Sequence, residues 1–144
     1  MRESSLARTL REKLGPLGQW TRIENVVGTG MPDVNWFPGT DIWIELKVVH
    51  GTKVFFQASQ ISWAKHRHKK RGSVWIIAKG EKEIIISNSI NLYDKVRYEH
   101  HKPVLHISVM KEYGVTFVKP YNWKSIIGLL CDDIQFCDFA GTTM

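Results

Sequence analysis

The chain has few cysteines and lacks any long apolar run. Its two cysteines, Cys131 and Cys137, do not form a Cys-x-x-Cys pair, so reduced thiols are expected rather than a disulfide or a zinc site. His100, His101 and His106 match no common zinc-ligand spacing. No segment approaches 18 consecutive apolar residues, and the N-terminus carries no apolar leader. These absences argue against export and a membrane span, and we expect a cytoplasmic protein.

Acidic residues are outnumbered by basic ones. The 144 residues include 20 Lys and Arg against 14 Asp and Glu, which gives a net charge of +6. The length fits one domain over residues 1–144, and the charge favours a polyanionic partner. The densest basic run, residues 65–71, falls in the second half of a helix predicted from near Ala58 to Gly72. Seven successive basic residues exceed what a helix dipole needs, so the run predicts phosphate contacts. The residues expected to make them are Lys65, Arg67, Lys69, Lys70 and Arg71.

Two carboxylates and an amine stand where a β-hairpin would bring them together. Asp33 follows a proline, and Glu45 and Lys47 come twelve and fourteen residues later. A proline–glycine turn over residues 38–41 separates two predicted strands. Because side chains alternate along a strand, residues 42–49 place Glu45 and Lys47 on one face and four aliphatic side chains on the other. An isolated Glu-x-Lys pair on a strand is usually exposed to solvent and has no further role. The apolar strand and the Pro-Asp pair beside it favour a functional site instead.

Such a cluster offers only oxygen ligands. Asp33 and Glu45, with a backbone carbonyl and several waters, suit a hard cation such as Mg²⁺ or Mn²⁺. A bound cation of this kind can polarise a phosphoryl oxygen and activate water. Lys47 would orient the attacking water or accept a proton from it. The pattern leaves open whether one or two cations bind.

Pro32-Asp33 followed by Glu45-Leu46-Lys47 resembles the PD-(D/E)xK nuclease signature. With Gln60 downstream, the order is similar to the VRR-NUC branch and to small phage Holliday junction resolving nucleases, over about residues 1–90. The resemblance implies an α/β, restriction-endonuclease-like αβββαβ core with a mixed sheet flanked by helices. It also implies Mg²⁺-dependent endonuclease activity, with Mn²⁺ as a possible substitute, by a homodimer on branched or four-way DNA. The cell would be a bacterial host if a phage encodes the protein.

The resemblance also implies roles for individual residues. Asp33 and Glu45 would be metal ligands, together with the Leu46 carbonyl. Lys47 would be the catalytic lysine, and Gln60 would support the site. Many members add a glutamate from the first helix, for which Glu3 is the best match.

Three glutamates compete for that last role. Leucines at positions 6, 10 and 14 predict an amphipathic helix over residues 4–14. At about 100° per residue, Glu3 lies within roughly 20° of the centre of this stripe and Glu12 lies about 160° away. Glu12 is therefore expected to face solvent, whereas Glu24 has no direction that the pattern fixes. Arg22, Asn25 and Lys53 are expected near the DNA backbone from their position in the sequence.

The last part of the chain matches no motif. Strands are predicted over residues 73–79 and 83–87, then a hairpin of strands 104–110 and 114–118, then a helix over 121–130. We expect residues 91–144 to widen the DNA footprint or to form a subunit interface. Two alternatives stay open: a nuclease for flapped, nicked or linear DNA, and a DNA-binding module without catalysis.

Overall fold

A computed structural model describes residues 3–23, 30–70 and 73–131 of the chain. Helix α1 begins at Glu3 and buries the predicted leucine stripe. The elements in chain order are α1 (Glu3–Leu14), β1 (Gln19–Arg22), β2 (Val34–Phe37), β3 (Ile42–Val48), β4 (Lys53–Phe55), α2 (Ala58–Lys69), β5 (Ser73–Lys79), β6 (Glu83–Asn88), β7 (Arg97–Glu99), β8 (Lys102–His106), α3 (Ile107–Tyr113), β9 (Val115–Val118) and α4 (Trp123–Leu130).

In the part of the chain that the structure describes, six strands form the main sheet, in the order β1-β2-β3-β5-β6-β9. The pair β3–β5 is parallel, and the other pairs are antiparallel. A parallel pair needs a crossover connection, and here β4 and α2 supply it. The expected α/β class with a mixed sheet flanked by helices is therefore confirmed, and α1-β1-β2-β3-α2-β5 reproduces the αβββαβ order.

Two apolar layers cover the two faces of this sheet. Helices α1 and α4 pack on the first face, against Ile44 and Leu46 among others. Helix α2 packs on the second face with Ile61 and Ala64, next to residues of a smaller sheet. Because β3 alternates, Glu45 and Lys47 point to this second face. The indole Nε1 of Trp36 donates to the carbonyl oxygen of Leu14 at 2.9 Å and so joins β2 to the end of α1.

The smaller sheet, in the order β4-β8-β7, is absent from the sequence predictions. Strand β4 pairs antiparallel with β8, with Phe55 opposite Val104. The strand predicted over 104–110 was wrong in its second half, because residues 107–113 form α3 and bury Met110. The predicted pairing of strands 104–110 and 114–118 in a hairpin was also wrong. Strand β9 pairs with β6, Val115 opposite Ile86, and so covers an open edge of the main sheet instead.

Most other boundaries agree with the predictions within two residues. Strand β5 has the predicted bounds, and α4 begins at Trp123, where the Asn122 side chain accepts a hydrogen bond from Ser125 N at 3.1 Å. Cys131 is a buried free thiol. Glu24, Asn25, Arg71, Gly72 and Cys137 lie outside the described residues. Within the described ranges, no helix is both long and apolar enough to span a membrane.

Candidate active site

Asp33 and Glu45 face each other across the end of the β2–β3 ladder. Val34 pairs with Ile44, so the antiparallel register brings the preceding Asp33 opposite Glu45. The Asp33 carboxylate Oδ2 accepts a hydrogen bond from the backbone N–H of Leu46 at 2.8 Å. Both carboxylates are nearly enclosed, with exposed fractions of 6% for Asp33 and 3% for Glu45. The hairpin expected from the sequence thus brings the two acids together.

Gln60, in the first turn of α2, connects the acid and the amine on β3. Its Nε2 donates to Glu45 Oε2 at 2.8 Å, and its Oε1 accepts from Lys47 Nζ at 3.0 Å. The same Oε1 accepts from the backbone N–H of Gln57 at 2.8 Å, which holds the amide in one orientation. The supporting role expected for Gln60 therefore has a geometric basis.

A glycine lets the chain before Asp33 approach α2 closely. Gly30 has φ of 71°, in the left-handed region that favours glycine. A Cβ atom there would lie 2.0 Å from the Ser59 carbonyl oxygen. The neighbouring Ser59 and Gln60 belong to the same helical turn, so this approach sets the distance between the β2 segment and the helix that holds the site.

Lys47 lies between a carboxylate and an aromatic ring. Its Nζ is 3.4 Å from Glu45 Oε2 and 4.9 Å from the centre of the Phe56 ring. Phe56 in turn contacts Tyr93 edge to face, with ring centres 5.6 Å apart. The Lys47 side chain is 13% exposed, so the amine lies at the edge of the cluster with limited access to water.

Burial and nearby charges raise the pKa of two carboxyl groups, Glu45 and Glu3. Desolvation by burial raises the pKa of Glu45 to about 8; Lys47 lowers this pKa, and Asp33 raises it again. Burial also raises the pKa of Glu3, with the charge of Asp33 adding to the effect and Lys47 and Arg22 opposing it. Glu3 is thus electrostatically coupled to the cluster, whereas Glu12 is exposed on the far face of α1, as predicted.

The cluster suits a hard divalent cation. In each carboxylate, one oxygen accepts a hydrogen bond that positions the group. Asp33 Oδ2 accepts from the Leu46 N–H, and Glu45 Oε2 accepts from Gln60. The raised pKa of Glu45 reflects negative charge held out of water, which a cation would offset. Among the described residues, no three or more His, Cys, Asp or Glu side chains form a complete metal site. Mg²⁺ commonly binds through one or two carboxylates and several waters, so the pair fits this ion.

A basic groove lies along α1 and β1. Arg8, Arg11 and Arg22 line it together with Ser4, Ala7 and Trp20, and its volume is about 370 Å³. Arg22 was predicted to lie near the site, and its charge acts on Glu3. Arg8 and Arg11 were not among the predicted contacts, although their i, i+3 spacing on α1 makes them neighbours on the helix surface. We call these lining residues the arginine groove.

Other predicted phosphate contacts are dispersed. Lys65, Lys69 and Lys70 are exposed along α2. Arg67 instead packs against Trp43 and Trp63, with its guanidinium carbon 5.5 and 5.7 Å from the two ring centres.

Lys53 forms a hydrogen-bonded ion pair with Glu99 within the smaller sheet. Its Nζ donates to Glu99 Oε1 at 2.6 Å, and Glu99 also contacts His106 at 3.3 Å. The Lys53 hydrogen bond is the main cause of the lowered pKa of Glu99. Lys53 thus fixes the β4 and β7 strands together.

Two residues near Glu45 were not predicted to belong to the site. Tyr93 lies in a 3₁₀ turn and is 5% exposed. Burial raises its pKa, and the charge of Glu45 adds to this, so the phenol and the carboxyl group are electrostatically coupled. Phe56 was missed as well. Its contact with Lys47 depends on the β4–β8 pairing, which the sequence pattern did not reveal.

The chain has a restriction-endonuclease-like fold. The solved structure of Hjc from Archaeoglobus fulgidus, described as a Holliday junction resolvase from an archaeal hyperthermophile, is similar to this chain with a TM-score of 0.57. The similarity covers 77% of this chain and 93% of that protein, at 15% sequence identity, and therefore concerns the fold. No protein-family model matches the chain, and no curated protein sequence matches it.

Proposed function

We propose that the chain is a divalent-metal-dependent endodeoxyribonuclease of the PD-(D/E)xK class that cuts four-way DNA junctions. The observation that carries the proposal is the joint position of Asp33, Glu45 and Lys47 around Gln60. The fold that holds them is shared with a Holliday junction resolvase, which supports the same class of substrate.

In this proposal, Asp33, Glu45 and the Leu46 carbonyl oxygen hold Mg²⁺, or Mn²⁺ in its place. When bound, the ion would neutralise charge on the phosphodiester and increase the acidity of water. Lys47 has three N–H donors, and its contacts with Gln60 and Glu45 leave one for the attacking water or a phosphate oxygen. Cleavage is expected to leave a 5′-phosphate, as the PD-(D/E)xK resemblance implies.

Glu3 would complete the site from the side of α1. Its raised pKa and its coupling to Asp33 support a position close to the proposed cation. The arginine groove is lined by residues of α1 and β1 and supports a path for the DNA backbone along these two elements. One guanidinium group can donate two parallel hydrogen bonds to a phosphate, so these arginines are suited to bind the DNA backbone. The exposed lysines of α2 would extend this contact.

Symmetric cutting of a junction needs two active sites. We therefore propose a homodimer, with residues 91–144 contributing either to the DNA contact or to the interface. Sedimentation at micromolar protein concentration would separate monomer from dimer with and without a junction.

The substrate class can be tested with DNA of matched sequence. The protein is incubated with a four-way junction, the linear duplex of one arm, a flapped duplex and a single strand, each with Mg²⁺ or with EDTA. We expect paired cuts at symmetric positions in the junction only when Mg²⁺ is present, together with little cutting of the linear duplex. Products are resolved at single-nucleotide resolution on denaturing gels.

The other outcomes separate the alternatives. Cutting of the flapped duplex in preference to the junction would assign the flap activity instead. Tight binding of all duplexes without hydrolysis in Mg²⁺ or Mn²⁺ would assign a DNA-binding module without catalysis.

Gln60→Leu is expected to lower the single-turnover cleavage rate by about 10- to 100-fold, the usual effect of losing a partner that orients a metal ligand. The leucine removes the donor to Glu45 and the acceptor of Lys47 while keeping an apolar stem. Ser62→Ala, an exposed change on the same helix, is the matched control. A Gln60→Leu enzyme that cleaves at the normal rate across a Mg²⁺ titration would contradict the positioning role.

A further inference from the structure

A cleft beside Lys47 combines an exposed aromatic ring with basic side chains. It has a volume of about 410 Å³ and lies between β4 with the start of α2 and the β7–β8 hairpin. Its described lining includes Lys47, Phe55, Phe56, His101 and Lys102, and none of the described residues that line it carries a carboxylate. The volume is within the range of small-ligand sites. We call it the nucleotide cleft.

We propose that the nucleotide cleft binds one unpaired nucleotide of the DNA strand, with its base on Phe55 and a neighbouring phosphate at Lys102 and His101. This part of the inference rests on the proposed function. Lys47 belongs both to the cleft and to the catalytic cluster, so a nucleotide in the cleft would lie next to the phosphate that is cut. The cleft would then favour DNA with a nucleotide freed from the stack, as at a branch point.

Phe55 presents its ring outward from a strand whose neighbours are buried. Val54 and Phe56 are 0% and 4% exposed, whereas Phe55 is 38% exposed. Among the described residues, the ring that lies beside Phe55 is that of His50, with centres 6.2 Å apart and the planes tilted. An aromatic face of this kind stacks on any base and contributes about 1–3 kcal/mol per base.

The opposite wall is a tight hairpin under backbone strain. His100 and His101 have φ of 51° and 66°, and they connect Glu99 to its partner Lys102. Two consecutive left-handed residues form the hairpin turn that normally takes Asn-Gly. Histidine is costly in this conformation, and such outliers cluster at functional sites. The strain is consistent with a role for the His101 side chain at the cleft.

The smaller sheet holds this wall in place. Strand β8 pairs with β4, and the backbone N–H of Phe56 donates to the Pro103 carbonyl at 3.0 Å. Glu99 bonds to both Lys53 and His106, which fixes the base of the hairpin. The two walls therefore have a defined separation, and the cleft is preformed rather than assembled on binding.

Binding measured in EDTA tests the cleft without cleavage. The probe is a short duplex carrying one unpaired aminopurine nucleotide, compared with the same duplex fully paired. The wild-type chain is expected to bind the duplex with the unpaired nucleotide about tenfold more tightly than the paired duplex, because stacking contributes about 1–3 kcal/mol per base. Stacking should also quench the aminopurine fluorescence. Phe55→Leu should reduce this ratio to near one, and Phe55→Tyr, which keeps the ring, should restore it. Phe37→Leu changes another exposed phenylalanine, on β2, and should leave the ratio unchanged.

The hairpin gives a second, opposite readout. His101→Gly puts glycine, which adopts the left-handed conformation at lower cost, in place of histidine. The melting temperature should therefore rise by a few degrees, while the preference for the unpaired nucleotide falls. Lys102→Gln should lower the salt dependence of binding by about one phosphate contact, whereas the exposed Lys82→Gln should not.

The outcomes separate this cleft from the nuclease proposal. If Phe55→Leu and His101→Gly keep the full affinity ratio and fluorescence quenching, the cleft is not a nucleotide site, even if the wild-type chain cleaves junctions. If the ratio collapses in Phe55→Leu but the wild-type chain hydrolyses no DNA, the cleft is supported and the nuclease assignment fails.

Discussion

Lys47→Met is expected to lower the single-turnover rate of junction cleavage by about 10³-fold while changing junction affinity by only a few fold. A positioned proton-transfer or charge-stabilising group typically contributes 10²–10⁴-fold to a rate. Methionine keeps the approximate length and apolar character of the lysine stem, but it removes the ammonium group and the contact of that group with the Phe56 ring. The loss should therefore appear in the rate of the chemical step at saturating DNA and Mg²⁺.

The loss of the Lys47 charge also has a consequence for Glu45. Lys47 lowers the pKa of Glu45, so its removal should raise that pKa further and weaken Mg²⁺ binding at neutral pH. The Mg²⁺ concentration for half-maximal rate is expected to be higher for Lys47→Met than for wild type at pH 7, and closer to it at pH 9. Lys82→Met, at an exposed lysine of the β5–β6 turn, is the control for loss of a positive charge. Full activity of Lys47→Met in Mg²⁺ would remove the proposed mechanism.

The acidic part of the site could be predicted because its geometry is local. A single turn sets the register of β2 and β3, and this register alone brings Asp33 opposite Glu45. Alternation along β3 then puts Lys47 on the face of Glu45. The helix carrying Gln60 begins at Ala58, after β3 ends at Val48 and β4 intervenes, and the PD-(D/E)xK resemblance was enough to select this glutamine.

The walls around the site could not be predicted because they depend on distant pairing. Strand β4 has three residues and pairs with β8 about fifty positions later, with Phe55 opposite Val104. No local pattern specifies such a partner. The same reason explains the error over residues 104–118, where an apolar alternation fitted a strand although Ile107–Tyr113 is helical. Phe56 and Tyr93 were missed with it.

The described residues of the basic run 65–71 do not share one environment. Lys65, Lys69 and Lys70 are exposed and stay predicted phosphate contacts. Arg67 lies against two tryptophans and near Asp41, with 3.8 Å between its Nη2 and Asp41 Oδ2. Its role is therefore expected to be in packing. The arginines of the arginine groove come instead from α1 and β1, where they are separated in sequence and form no run.

Glu45→Gln is expected to abolish cleavage, with a rate loss of about 10³-fold or more, because it removes a ligand of the proposed cation and half of the paired negative charge. Glutamine is close in shape to the protonated acid, and its side-chain oxygen can still accept the hydrogen bond from Gln60. DNA binding should therefore survive. Glu12→Gln, at the exposed glutamate of α1, should cleave normally.

The same substitution is expected to stabilise the fold at high pH in the absence of metal. The folded chain holds the Glu45 proton with a pKa of about 8, whereas the ordinary value is 4.5. Because the folded state binds this proton more tightly, the wild-type free energy of unfolding should fall as pH rises from about 4.5 to 8 and then level off. Below both values the carboxyl group is protonated in both states and makes no such contribution. The full penalty is on the order of a few kcal/mol, and Glu45→Gln does not incur it.

Thermal unfolding in EDTA across pH 5 to 9 measures this difference. Glu45→Gln and wild type should unfold at similar temperatures near pH 5, and the variant should be roughly 10 °C more stable at pH 9. Adding Mg²⁺ at pH 9 should raise the wild-type melting temperature and leave that of Glu45→Gln almost unchanged, since the ion stabilises only the state that binds it. Equal melting temperatures at pH 9 in EDTA would mean that Glu45 is not held out of water. A wild-type protein that does not respond to Mg²⁺ would show that the two carboxylates do not form a cation site.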